Sequence, residues 1–324
     1  MRDNVRVTNA PTSKSEGTTS LKPFLRWAGG KRQLLSVLTK AFPSDFELGK
    51  NNYFEPFVGG GAVLMSLPSS PFWKSEGEAQ GSMFINDVNE ELIGVYETLK
   101  ATPEALIQAL RGLSGDISED RFYEVRASNP RTSTTRAARF IYLNRLCFNG
   151  LHRVNSQGGF NVPYGKLRNP TVCDNDLLVA VSNLLGAVNI SCGGFDEAIS
   201  SAKRGDLVYF DPPYVPLTAT ASFSKYSEGD FGEADQRRLA EAIGNLTERG
   251  VRVVLSNSSS PVARRIFQEH LSLFAVKANR SISASGASRK VVDEILGFSY
   301  SSAEFSDRSV TASLRRLKPL SVKK

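Results

Sequence analysis

Leu207-Val208-Tyr209-Phe210-Asp211-Pro212-Pro213-Tyr214 is the stretch whose reading decides the rest of the chain. Four apolar residues that stop on a carboxylate and two prolines predict a buried strand ending in a rigid turn. Each proline fixes φ at about −65° and removes a backbone donor. The turn therefore offers acceptors, the Asp211 carboxylate and the Pro212 carbonyl, with the Tyr214 ring beside them. Two acceptors and a flat ring suit a planar group bearing an NH2, such as the exocyclic amine of a nucleobase. Hydrogen bonds from both of its N–H groups draw the nitrogen lone pair out of conjugation and aim it at an electrophile. The carboxyl end of a strand is also where an open α/β sheet keeps its ligand crevice. The plainer alternative is a stiff turn, since Asp-Pro commonly starts one. By average usage the tetrapeptide arises by chance in on the order of one chain in a thousand of this size.

Composition sets the outer limits. A chain of 324 residues, 40% hydrophobic and 23% charged, is long enough for one large domain or two around a full core. The longest apolar stretch, 177–188, is interrupted by Ser182, Asn183 and Gly186 and is too short to span a bilayer. The start of the chain carries no charged-then-apolar export pattern. Cys147, Cys173 and Cys192, with His152 and His270, form neither a disulfide framework nor a zinc pattern. We therefore expect a reducing compartment, the cytoplasm, with no membrane and no metal. The net charge of +7 and a pI near 9.3 favour a polyanionic partner.

Outward from the central turn, the pattern alternates strands with helices. Residues 1–20 are polar, without apolar periodicity, and are expected to be mobile. Pro23-Phe24-Leu25-Arg26-Trp27-Ala28-Gly29-Gly30-Lys31 then opens onto a helix carrying Leu34, Leu35, Leu38, Ala41 and Phe42. Two glycines before a helix let a ligand approach the backbone, and Trp27 can stack on a purine. Tyr53-Phe54-Glu55-Pro56-Phe57-Val58-Gly59-Gly60-Gly61-Ala62-Val63 predicts strand, glycine-rich turn and helix, the opening of a nucleotide-binding βαβ unit. Asp87 closes a second strand, 83–87, and lies 26 residues after Gly61, the place of an acid that binds ribose hydroxyls. Its competing role is as cap of the helix at 89–100, which Asn86 or Asn89 can fill as well.

From 90 to about 145 the spacing is helical, and Arg126, Arg131, Arg136, Arg139 and Arg145 make this stretch basic, as a phosphate-facing surface would be. At 149–165, Arg153-Val154 and Phe160-Asn161-Val162 flank an Asn-Ser-Gln-Gly-Gly turn. That predicts a hairpin rich in the arginine, amides and aromatics of base-edge contacts. A helix at 176–186 and a strand at 188–191 follow. The Ser/Thr loop 216–229, with Phe223, Lys225 and Tyr226, is placed to close over a substrate. Beyond it we expect a helix at 233–248, a strand at 251–256, a helix at 261–269, and strands at 273–277 and 292–298. The fold class is α/β, with a Rossmann-like, mostly parallel sheet and an inserted, mainly helical region bearing the hairpin.

Taken in order, the 24–31 and 55–61 segments, the 149–165 hairpin, Asp211 to Tyr214, and Arg280-Ser281-Ile282-Ser283 resemble the Dam-type (D12 class) DNA adenine-N6 methyltransferases. The resemblance runs from about residue 23 to 300. It implies an S-adenosylmethionine-dependent enzyme, acting as a monomer on double-stranded DNA, that methylates adenine N6 within GATC after flipping the base. By position it implies that Trp27, Ala28, Gly29, Lys31, Phe57, Gly59, Gly61, Asp87, Phe195, Asp196 and Asp211 hold the cofactor. It gives Asp211, Pro212, Pro213 and Tyr214 the catalytic turn. It assigns DNA contacts to Arg26, Phe148, Asn149, Gly150, Leu151, Arg153, Asn155, Asn161 and Pro163. Arg26 stands where relatives often have lysine, and Phe148 where tyrosine is common. The implied organisation is a tail at 1–21, a methyltransferase domain at 22–89 and 176–305, a target-recognition domain at 90–175 and a basic tail at 306–324. Other readings of the residues are another GAT-containing site, cytosine N4, a protein glutamine amide, or a non-catalytic DNA-binding module.

Overall fold

Strand alternation divides the core into two layers. In Tyr53–Glu55 (β1) and Leu207–Phe210 (β4), Tyr53, Leu207 and Tyr209 enter one buried cluster, while Phe54, Val208 and Phe210 enter another. Period-two side chains produce this split wherever a sheet is covered on both faces. The computed structural model describes residues 21–27, 29, 31, 33–70, 82–214, 231–279 and 291–320. The other strands are Met83–Asp87 (β2), Val188–Cys192 (β3), Arg252–Ser258 (β5), Ser272–Asn279 (β6), Val291–Phe298 (β7) and Arg315–Arg316 (β8). They form one sheet in the order β3-β2-β1-β4-β5-β7-β6-β8. The first five are mutually parallel, and β7 runs antiparallel between β5 and β6. Strand order reverses between β1 and β4, so the crevice lies at their carboxyl ends.

The Tyr53 face is covered by Leu35–Ala41 (α1), Glu90–Ala101 (α2), Pro103–Ser114 (α3), Glu119–Ala127 (α4), Ser133–Leu146 (α5) and Asn175–Gly186 (α6). The Phe54 face takes Phe195–Ala198 (α7), Glu233–Glu248 (α8) and Pro261–Phe267 (α9). Caps follow local chemistry: Asn89, Ser118, Thr132, Asp174 and Ser260 each accept from a first-turn N–H. The α-helical region from α2 to α5 shares one continuous apolar cluster with the sheet. Among the described residues, no helix is long and apolar enough to cross a membrane.

Three expectations change. The segment after the glycine turn is a short 3-10 helix at Leu64–Ser69, not an α-helix. Pro68 within it has no N–H to give to an i−4 carbonyl. Residues 306–320 are not a tail, because Val310 and Leu314 are buried and β8 extends the sheet beside β6. The predicted hairpin is minimal, with a single bridge between Val154 and Phe160. The 1–20 tail, residues 71–81, the 216–229 loop and Arg280 to Ser283 lie outside the described residues.

Glu55 closes β1 at 3% exposure, accepting from Tyr53 Oη at 3.0 Å and Leu64 N at 3.1 Å. Burial pushes its carboxyl from 4.5 up to about 8, with the Tyr53 hydrogen bond opposing the shift. The folded chain therefore keeps a proton on Glu55 that the unfolded chain loses near 4.5. Stability should fall as pH rises through this interval, by about 1.4 kcal/mol per unit from this group, and level off above about 8. Glu55→Gln is neutral throughout and removes that slope. In urea unfolding, its stability relative to the parent should rise by roughly 2–3 kcal/mol between pH 5.5 and 8. A pH-independent difference would contradict the buried, protonated carboxyl.

Candidate active site

β4 delivers Asp211 to the edge of the crevice, where the amino-terminal segment meets it. Lys31 Nζ lies 2.8 Å from Asp211 Oδ1, donates to Gly29 O at 2.6 Å, and sits 4.6 Å from the centre of the Tyr214 ring. Ser256 Oγ, from β5, donates to the same Asp211 oxygen at 2.8 Å. The Tyr214 hydroxyl donates to Glu294 Oε2 of β7 at 2.8 Å. Burial, then the charges of Asp211 and Glu294, push that phenol well above its ordinary range, so it stays a donor. The Pro213 carbonyl accepts from Gln236 Nε2 of α8 at 2.7 Å, and Asn257 Nδ2 holds Gln236 Oε1 at 3.0 Å. Asp211 Oδ2 and the Pro212 carbonyl have no partner among the described residues. The turn is thus braced from four elements, with two acceptors left over.

Beside it, the glycine turn is held from behind. Asp87 Oδ2 accepts from Gly59 N and Oδ1 from Asn89 N, both at 3.0 Å. Asn89, not Asp87, caps α2, so the carboxylate braces the turn at the end of β2. Burial raises its pKa, and these backbone N–H groups oppose the shift. Gly61 has φ +67°, and a Cβ there would lie 2.7 Å from Tyr96 Oη. Tyr96 Oη in turn donates to Gly59 O at 2.9 Å. Trp27 packs so closely that a Cβ on Gly59 would lie 2.8 Å from its Cδ1. Its ring stacks on His152 at 5.6 Å and Phe140 at 6.2 Å. Phe57 and Phe195 lie 5.7 Å apart, centre to centre, and Arg238 covers the Phe195 ring at 5.1 Å while pairing with Asp196 at 3.4 Å. A backbone cradle without side chains, a carboxylate after the second strand and flanking aromatic rings fit an adenosine-bearing cofactor. Gly29, Lys31, Phe57, Gly59, Gly61, Asp87 and Phe195 gather around this crevice. Asp196 faces solvent, Lys31 points at Asp211, and Ala28 lies outside the described residues.

The recognition candidates form a corner after α5. Phe148 is 44% exposed, an aromatic ring left in solvent. Asn149 adopts φ 55°. Gly150 has no room for a side chain, because a Cβ would lie 2.4 Å from Arg26 Cβ. The Asn144 side chain exchanges two hydrogen bonds with the Arg26 backbone, 2.8 Å from N and 2.6 Å to O. Arg153 Nε donates to Asn161 Oδ1 at 2.6 Å. Asn155 Oδ1 accepts from Gln157 N and Gly159 N at 3.0 and 2.8 Å, which makes it a turn-former. Leu151 is half-buried; Pro163 is exposed, and its carbonyl accepts from Phe148 N. Of the five arginines expected on a phosphate-facing surface, Arg126, Arg139 and Arg145 donate to main-chain carbonyls. Arg131 and Arg136 line an open depression with Arg139, Glu91, Asn129 and Pro130. Sequence reasoning missed Ser256, Glu294, Gln236, Tyr96, Asn144 and His152. The polar Ser256-Asn257 pair ending an apolar strand was a signal of the kind that marked Asp211.

The contact between Gly61 and Tyr96 gives a direct test of the turn. Gly61→Ala should destabilise the protein by about 1–3 kcal/mol through left-handed strain and the clash with Tyr96 Oη. Tyr96→Phe should cost less in the Gly61→Ala background than alone. Additive costs in a denaturation double-mutant cycle would show that the two residues do not meet.

The sequence model of the D12 class N6 adenine-specific DNA methyltransferases matches residues 27–282. The Type II methyltransferase M1.LlaDCHI of Lactococcus lactis subsp. cremoris is 38% identical over 289 residues, 87% of this chain and 96% of that protein. M.MjaIII of Methanocaldococcus jannaschii, also a Type II methyltransferase, is 39% identical over 83% of this chain and 96% of its own length. The DNA adenine methylase of Escherichia coli (strain K12) is 34% identical over 85% and 94%. Agreement of this extent, over nearly the whole length of each relative, places the chain in the D12 class of N6 adenine-specific DNA methyltransferases, enzymes that use S-adenosylmethionine.

Proposed function

We propose that this adenine-N6 methyltransferase acts on double-stranded DNA within GATC, with the target adenine swung out of the duplex into the crevice beside β4. The reading rests on one observation above all: Asp211 Oδ2 and the Pro212 carbonyl sit with the Tyr214 ring at a braced turn, without partners among the described residues. A base inside the helix cannot present its amine to acceptors set into a crevice, so it must leave the stack at a cost of a few kcal/mol. Phe148, exposed at the corner, is the ring suited to fill the gap. Phosphate and base-edge contacts offset the cost.

Each residue then has a role. Tyr214, held by Glu294, stacks on the adenine. Asp211 and the Pro212 carbonyl accept the two N6 hydrogens and orient the lone pair, which is positioning plus electrostatic stabilisation. Gly59, Gly61, Asp87, Phe57 and Phe195 would hold S-adenosylmethionine, which supplies an electrophilic methyl group. Arg153, steadied by Asn161, reads guanine, and Leu151 and Pro163 line its approach. The segment 90–175 is the recognition region, the enzyme works as a monomer, and its DNA substrate puts it in the cytoplasm. Cytosine N4 would meet the same acceptors, so identifying the methylated nucleoside after digestion separates the two substrates.

Asp211→Ala should lower turnover by on the order of 10²-fold or more while the fold persists. A folded variant at near-parental rate would remove Asp211 from the chemistry. Asp87→Ala should weaken cofactor binding and leave DNA affinity unchanged, as calorimetry can measure. For Arg153→Ala, methylation of GATC and of sites altered at the guanine should converge, since a bidentate guanine contact is worth about 1–3 kcal/mol of discrimination. One common factor lost on all sites would make Arg153 a phosphate contact instead.

A further inference from the structure

We propose that Tyr209 and Ser256 are positioning residues for methyl transfer: a buried hydroxyl relay that pins Asp211 by one oxygen and leaves the other for the adenine amine. The proposal rests on the reading of Asp211 as amine acceptor. Aspartate's terminal torsion is soft, so backbone placement alone does not fix which oxygen faces the crevice. Hydrogen bonds must do so.

The relay is fixed by counting protons. Ser256 Oγ is 2.8 Å from Asp211 Oδ1 and 3.0 Å from Tyr209 Oη. Serine has one proton, and a carboxylate can only accept. The Ser256 proton therefore goes to Asp211, and Tyr209 donates to Ser256. The competing acceptor, Phe210 O, stands at 3.5 Å, too long to win against a charged oxygen. Ser256 is 0% exposed and Tyr209 1%, so neither touches a ligand. Burial and the charge of Asp211 push the Tyr209 phenol well above its ordinary range, which keeps it a donor. Lys31 reaches the same Oδ1, and two donors on one oxygen turn Oδ2 towards the crevice.

Rigidity distinguishes the two anchors. Lys31 has a long flexible stem, whereas Ser256 sits on β5, one residue past its Phe210–Leu255 pairing with β4. Alternation puts Tyr209 and Asp211 on one face of β4, so the relay follows from strand register. A constellation held from neighbouring strands keeps its geometry better than one held from loops.

The test compares Tyr209→Phe, Ser256→Ala and the double variant under single-turnover conditions, below the unfolding range of each, with Asp211→Ala in parallel. Tyr209→Phe removes one hydroxyl and keeps the packed ring, so it should fold. We expect the methyl-transfer rate to fall about 3–10-fold in Tyr209→Phe and about 10–100-fold in Ser256→Ala, with cofactor and DNA affinities within about twofold of the parent. The double variant should be no slower than Ser256→Ala, because Tyr209 acts only through Ser256. Parental rates in both single variants, or losses that multiply in the double, overturn the relay. An active Asp211→Ala would instead overturn the acceptor reading beneath it; an inactive one beside parental Tyr209→Phe and Ser256→Ala leaves that reading standing and removes the relay alone.

Discussion

The ion pair between Lys31 and Asp211 is the constraint around which the crevice is arranged. It ties the segment before α1 to the end of the central strand, across the point where strand order reverses. Lys31 is only 5% exposed, and a pair so enclosed costs desolvation that its attraction must offset. Such a pair does more for position than for stability. Its neighbours respect the same balance: Glu55, within reach of the Asp211 charge, is held protonated by burial. Two ionised carboxylates there would repel each other, and a neutral Glu55 spares the crevice that repulsion.

The glycine turn and the corner after α5 are mechanically joined rather than merely adjacent. Trp27 backs the glycine turn on one side and stacks on His152 of the hairpin on the other. His152 Nδ1 lies 3.5 Å from Asn89 Nδ2, and the Asn89 N–H supports Asp87. A second tie runs from the Asn144 amide to the Arg26 backbone. The helical layer and the sheet share one apolar cluster, so any displacement of the hairpin pulls on a rigid body.

How much of this was legible depends on whether the signal was local. The strands bordering the crevice were, because β2 and β4 are short apolar runs that stop on a carboxylate: Asp87 for β2, Asp211 after β4. The glycine turn was legible for the same reason. The braces were not. Ser256 meets Asp211 across 45 residues and Glu294 meets Tyr214 across 80, through strand register and the antiparallel insertion of β7. Arginine spacing suggested a phosphate face, but main-chain carbonyls claim three of the five side chains. Basic composition hid β8, whose neighbours Val310 and Leu314 are buried. The protein contacts of Trp27 were hidden in the same way: its ring packs on His152 and Phe140, distant in sequence.

The most direct measurement is a crystal structure of the protein with S-adenosylhomocysteine and a short duplex containing GATC. The account predicts an extrahelical adenine stacked on Tyr214, its N6 within about 3.2 Å of both Asp211 Oδ2 and the Pro212 carbonyl. Ser256 would still hold Asp211 Oδ1. An adenine left stacked in the duplex, or an N6 bound away from the Asp211 turn, would contradict it.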